Sequence, residues 1–138
     1  MAVAYVCILI AALLPYLWVS IAKAGGQRYD NRDPRGWLAK QENPRIHRAN
    51  SAQLNSFEAF APFAAAVLMA QFAGVDPQTI TWLAIAFVVL RAGYGLLYLA
   101  GKPAMRSLVW FAGYACVVSL MLLAIGRASC RERVFVGV

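Results

Sequence analysis

Four long apolar runs constrain this chain more than any other feature of its sequence. They extend over Ala2–Ala22, Ile46–Gly74, Thr79–Ala100 and Ala104–Ile125. A helix needs about 20 apolar residues to cross the hydrocarbon core of a bilayer, and each run reaches that length. The runs lack the alternation of polar and apolar residues that is typical of membrane β-strands. The sequence therefore predicts an all-α membrane protein, a single four-transmembrane-helix bundle over residues 1–125.

The charged residues predict how the bundle is oriented. The chain is 62% hydrophobic and only 14% charged, with a formal net charge of +7. Basic residues concentrate in or near the first and third connections between the runs, at Lys23, Arg28, Arg32, Arg35, Lys40, Arg45, Arg48, Lys102 and Arg106. The second connection, residues 72–81, has none. By the positive-inside rule we expect loops one and three in the cytoplasm and both termini on the far side. We interpret the net charge as a topology signal rather than as a nucleic-acid-binding patch.

Residues 126–138 do not fit this charge asymmetry. Arg127, Arg131 and Arg133 directly follow the fourth run, on the side assigned to the exterior. The segment from Ile125 to Val134 also resembles the conceptual translation of a common sequencing adapter. We therefore expect the tail to be a sequencing artefact. The alternative is a natural basic tail.

Several other features of the runs predict their packing and exclude some chemistry. Pro15 should kink the first helix, and the paired glycines Gly93 and Gly95 should let neighbouring backbones approach closely. The turn-forming pairs Asp76-Pro77 and Lys102-Pro103 make two connections short, so the last three helices should be antiparallel neighbours. No cleavable signal peptide is expected. The cysteines and the single histidine have no metal-ligand spacing, and we expect neither a metal site nor a disulfide framework.

The second run carries an ionisable residue where a membrane helix rarely has one. Glu58 lies about 12 residues, or about 18 Å, beyond the start of the helix near Ile46. That depth is close to the middle of the bilayer, where an unpaired charge costs about 2.5 kcal/mol or more. At 100° per residue, Arg48, Asn55 and Glu58 share an arc of about 80° and form one polar stripe. This stripe should face protein or water rather than lipid.

The third and fourth runs place further polar residues at a similar depth. Arg91, Tyr94 and Tyr98 share an arc of about 60°, and the fourth run begins with Arg106 and Ser107. Each residue alone also has a structural explanation, because arginines extend to headgroups, tyrosines belong to interfacial belts and a glutamate can neutralise an arginine. Together, the three helices predict a site for a small anionic ligand in the cytoplasmic half.

These polar residues follow a pattern that resembles the MAPEG family, the membrane-associated proteins in eicosanoid and glutathione metabolism. In the segment Arg48–Phe63, an arginine is followed by an asparagine seven residues later and by a glutamate three further on. The resemblance continues with Arg91-Ala92-Gly93-Tyr94, Tyr98 and Arg106-Ser107, and it covers the chain from the first helix to Ile125. It implies a homotrimer that binds glutathione as a co-substrate between adjacent subunits and has no metal. The resemblance is to bacterial-type members, which implies a location in a bacterial inner membrane.

The resemblance also implies roles for individual residues. The positions matching the family's glutathione-binding residues are Arg48, Asn55, Glu58, Arg91, Tyr94 and Tyr98. Arg106 resembles the catalytic arginine proposed to stabilise the glutathione thiolate. A guanidinium near sulfur favours the ionised thiol, which is the nucleophile. Ser51 departs from the pattern, since many characterised members carry a second arginine there, and enzymatic activity is therefore left open.

Three functions stay open at this point. The resemblance implies transfer of glutathione to hydrophobic electrophiles, or reduction of lipid hydroperoxides, with the acceptor entering from the bilayer. A small proton-coupled multidrug transporter is a second possibility, although its essential carboxylate lies in the first helix, where this chain has no charge before Lys23. The third is a non-enzymatic membrane protein whose polar stripes fix the register of its subunits.

Overall fold

A computed structural model of the protein describes residues 1–137 and contains five helices. These are α1 (Ala2–Ala24), α2 (Pro34–Ala39), α3 (Pro44–Ala73), α4 (Pro77–Leu99) and α5 (Pro103–Val136). All but α2 are long and apolar enough to cross a membrane. The described part of the chain has no β-strand. The predicted all-α, four-transmembrane-helix fold is confirmed.

The turn-forming pairs of the sequence mark where the helices begin. Pro34, Pro44 and Pro77 occupy the first turns of α2, α3 and α4, where proline's missing N–H costs nothing. The preceding Asp33, Asn43 and Asp76 each accept a hydrogen bond from a backbone N–H of the new helix. Because the prolines that begin these helices precede the apolar runs, and Pro103 does the same for α5, α3, α4 and α5 begin one or two residues earlier than predicted.

The central helices of the bundle are α3 and α4. Both pack against α1 on one side and against α5 on the other. The core contains many alanines, and Ala4, Ala66, Ala70 and Ala84 are fully buried. Such small residues let helices approach closely in a bilayer, where packing rather than the hydrophobic effect drives association.

One of the two paired glycines lies at the tightest contact between α1 and α4. A Cβ added to Gly95 would overlap the indole ring of Trp18, whose side chain is only 2% exposed. A Cβ on Gly93 would meet no atom within 4 Å. Gly95 therefore makes room for an aromatic side chain rather than for a neighbouring backbone, whereas Gly93 faces away from the other helices of the chain.

The first loop is held by side chains rather than left open. The indole Nε1 of Trp37 donates to the carbonyl oxygens of Gln27 and Arg28, at 3.2 and 3.1 Å. The buried Gln41 donates from Nε2 to the carbonyl oxygen of Trp37 at 3.0 Å. These bonds hold the short helix α2 to the loop around it, and Trp37 packs with Ala22 of α1 and Ile46 of α3.

Helix α5 continues beyond the predicted boundary at Ile125. It extends to Val136, but its last buried residue is Ala124. Past that point every described side chain is exposed except the half-buried Ser129. The packed core therefore ends where the apolar run ends, and the origin of the tail stays a prediction.

Candidate functional site

A buried arginine makes a polar contact that joins α3 to α4 inside the bundle. Arg91 donates from Nη2 to Oδ1 of Asn55 at 2.7 Å, a short charge-assisted hydrogen bond. Arg91 is only 4% exposed, so this bond compensates part of the cost of burying its charge. The Arg91 guanidinium also lies over the Tyr94 ring, 4.3 Å from its centroid.

The contacts continue from Tyr94 to the start of α5. The rings of Tyr94 and Tyr98 meet edge to face with their centroids 5.7 Å apart. The Arg106 guanidinium lies over the Tyr98 ring at 4.1 Å. We call the connected residues Asn55, Arg91, Tyr94, Tyr98 and Arg106 the polar track. It unites residues of α3, α4 and α5, as the sequence predicts.

A cavity of about 140 Å³ adjoins the inner end of the polar track. Asn55, Glu58 and Arg91 form its polar end. The remaining lining is apolar or aromatic and consists of Ala59, Pro62, Phe87, Trp110, Tyr114 and Val117. The cavity therefore presents hydrogen-bonding groups at one end and an apolar surface at the other.

Glu58 lines this cavity but is not held by an arginine. Its side chain is exposed, and within residues 1–137 it forms no ion pair. The acceptor for Arg91 is the amide of Asn55 instead. Pro62 has no N–H to donate, so the backbone carbonyl of Glu58 also lacks its usual helical partner. Glu58 thus offers a carboxylate and a carbonyl oxygen near the polar end of the cavity.

Arg48 is the one expected site residue that lies apart from the track and the cavity. Its guanidinium lies beside the turn between α4 and α5, where a Cβ on Gly101 would be 3.7 Å from Arg48 Cζ. Arg48 Nε is buried and has no hydrogen-bond partner. The side chain is therefore packed against the turn that leads into Arg106.

Two lining residues, Trp110 and Tyr114, are absent from the residues that the sequence predicts. Their rings are nearly parallel, with centroids 5.3 Å apart and an interplanar angle of 6°. The sequence feature that could have revealed them is their spacing. Arg106, Trp110 and Tyr114 follow one another at four-residue intervals and so share a face of α5. Without the structure, they look like ordinary membrane-facing aromatics.

The sequence model of the MAPEG family matches residues 3–126. The chain belongs to the MAPEG family. The match extends into all four spanning helices and includes the whole polar track. No curated protein matched the chain.

The stability of this MAPEG protein should depend on Asn55 far more than on Glu58. Asn55→Ala leaves buried Arg91 without its acceptor and should lower the free energy of unfolding by about 2 kcal/mol. Glu58→Gln removes a charge that has no ion-pair partner within residues 1–137 and lies in a membrane-spanning helix, so it should not lower the free energy of unfolding. Unfolding of both variants in the same detergent measures the difference. Equal losses would show that Arg91 does not rely on Asn55.

Proposed function

We propose that this MAPEG protein binds glutathione along the polar track and transfers it to hydrophobic electrophiles, or uses it to reduce lipid hydroperoxides. The observation that carries the proposal is the state of Arg106. This arginine is half-buried at one end of the track, lies over Tyr98, and forms no ion pair within the described residues. It is available to an anionic ligand.

The charges on the track and near it complement those of glutathione. The tripeptide has two carboxylates, an ammonium group and a thiol. Arg91 and Arg106 supply cations, and Glu58 supplies the carboxylate for the ammonium group. The cavity, at about 140 Å³, is smaller than the roughly 300–1,000 Å³ of typical ligand pockets. Glutathione would therefore lie along the track, with its glutamyl end at the cavity's polar groups.

A second copy of the chain would complete the site. One protomer covers only one side of an extended ligand on the track, and the family resemblance implies a homotrimer with sites between adjacent subunits. The basic first loop supports an orientation with loops one and three in the cytoplasm of a bacterial cell. Arg106, the fourth residue of α5, then lies near that side.

The proposed chemistry begins at the sulfur. The thiol loses its proton to solvent, and the Arg106 guanidinium stabilises the thiolate that remains. The thiolate forms an S–C bond to the electrophile, and the electron pair of the breaking bond leaves with the departing group. With a hydroperoxide, the thiolate attacks the terminal oxygen and the O–O bond breaks. The alkoxide takes a proton, and a second glutathione then converts the sulfenic acid into a disulfide and water.

Calorimetric titration of glutathione into the purified protein in lipid nanodiscs tests the proposal. We expect saturable binding of glutathione. S-methylglutathione, in which a methyl group replaces the thiol proton, should bind more weakly because it cannot form a thiolate. Mass measurement of the detergent-solubilised complex should give a trimer. A trimer that does not bind glutathione would contradict the proposed function and favour the non-enzymatic alternative.

A further inference from the structure

A groove between the end of α1 and the start of α3 shares no residue with the polar track or its cavity. It has a volume of about 310 Å³ and is open to its surroundings. Its lining comes from two helix ends and consists of Ile21, Ala24, Gly25, Asn43, Arg45 and Ile46. The groove therefore combines an apolar wall with one exposed arginine, which lies in the first turn of α3.

The first loop fixes the shape of this groove. A Cβ added to Gly26 would overlap Oε1 of Gln41 and Cδ1 of Ile46, so the chain that leaves α1 lies directly on the start of α3. Oε1 of Gln41 also accepts a hydrogen bond from the backbone N–H of Gln27 at 3.2 Å. These contacts hold the two helix ends together, and the groove exists without rearrangement of the loop.

The loop around the groove has an excess of positive charge. Residues 23–48 include seven basic and three acidic residues. Two of the carboxylates are already engaged, because Asp30 pairs with Arg32 at 3.1 Å and Asp33 caps α2. Arg45 forms no ion pair within residues 1–137. Its guanidinium is therefore available to an anion at the groove.

The groove lies at the level where the spanning helices leave the bilayer. Helix α1 ends at Ala24, directly after Lys23, and α3 begins at Pro44. Lipid phosphates are found at this level, and acyl chains begin just below it. A phospholipid therefore has the two groups that the groove can contact, a phosphate for Arg45 and a chain for the apolar wall. The excess of basic residues favours a lipid with a net negative charge.

We propose that this groove binds one anionic phospholipid of the adjacent leaflet. The headgroup phosphate lies at Arg45, and the first part of an acyl chain lies against Ile21 and Ile46. The first loop then selects a class of lipid in addition to setting the topology. The proposal goes beyond the proposed function and does not depend on the binding of glutathione.

Counting bound lipids by native mass spectrometry in a non-ionic detergent tests the proposal. The probe is dioleoyl phosphatidylglycerol, and dioleoyl phosphatidylcholine has the same chains with a zwitterionic headgroup. We expect one phosphatidylglycerol per chain to bind with saturation, and phosphatidylcholine to bind about fivefold more weakly. Arg45→Gln should weaken phosphatidylglycerol binding about fivefold, which corresponds to the roughly 1 kcal/mol that one cation contributes near a lipid surface.

Two further variants separate the groove from the general charge of the loop. Arg35→Gln removes an equal, exposed charge from α2, outside the groove, and should leave lipid binding within about twofold. Ala24→Phe places a ring in the groove from an exposed position and should weaken the binding of both lipids. Neither Arg45 nor Ala24 is a core residue, so the variants should melt as the wild type does.

Several results would overturn the proposal. Equal affinity for the two lipids would show that the groove does not select charge, and equal losses in Arg45→Gln and Arg35→Gln would show that the loop acts only through its total charge. Unchanged binding in Ala24→Phe would place the lipid elsewhere. Displacement of the lipid by millimolar inorganic phosphate would identify a site for free phosphate instead.

Discussion

Replacing Arg106 with alanine should lower kcat for glutathione conjugation about 100-fold while glutathione affinity stays within a few-fold. The guanidinium is expected to interact mainly with the glutathione thiolate. Losing this interaction should raise the activation barrier of conjugation more than it weakens the binding of glutathione. Arg106 forms no ion pair within the described chain, so its loss strands no carboxylate. The measurements are steady-state kinetics, calorimetric titration and the ultraviolet difference absorbance of bound thiolate.

Two further variants separate the role of Arg106 from a general effect of charge. Lys102→Ala removes an exposed cation from the same end of α5 and should leave kcat within about twofold, since its side chain is outside the track. Arg106→Lys keeps a point charge but loses the planar fork, and it should recover part of the thiolate signal. An Arg106→Ala protein with undiminished thiolate absorbance and turnover would refute the assigned role.

The fold was predictable because it depends on properties that are local in sequence. The length of the apolar runs determines the number of spanning helices, and Asp76-Pro77 and Asn43-Pro44 determine where two of them begin. The start of α5 beside Lys102 follows the same rule. What could not be predicted is the continuation of α5 past Ile125, because an exposed helix needs only adequate propensity and no packing.

The sequence predicts which site residues share a helix face, but not which side chains contact each other across the helices. Helical periodicity placed Asn55 and Glu58 on one face, and the structure confirms that both lie at the cavity. Which of them accepts the hydrogen bond from Arg91 depends on the rotation of α3 against α4, and periodicity does not contain that information. Arg48 illustrates the same limit, because its position beside Gly101 depends on a turn whose glycine has φ +69°.

The two paired glycines should differ sharply when each is replaced by alanine. In Gly95→Ala the new methyl group overlaps the ring of Trp18, which is buried against residues of α3 and α4. We expect a loss of about 3 kcal/mol in the free energy of unfolding, the upper part of the range for overpacked cores. Gly93→Ala meets no atom within 4 Å and should be neutral or stabilising by up to about 1 kcal/mol, because alanine is the better helix former.

A double-mutant cycle identifies the contact responsible. Trp18→Phe shortens the ring that meets Gly95 and should cost stability alone, because it leaves a cavity in the core. In the double variant with Gly95→Ala, the new methyl group fills part of that space. The loss in its free energy of unfolding should therefore be smaller than the sum of the two single losses by about 1 kcal/mol or more. If the losses in free energy of unfolding are strictly additive, the destabilisation in Gly95→Ala does not come from the contact with Trp18. A loss in Gly93→Ala as large as that in Gly95→Ala would show that a neighbouring copy packs against the face of α4 that this protomer leaves open.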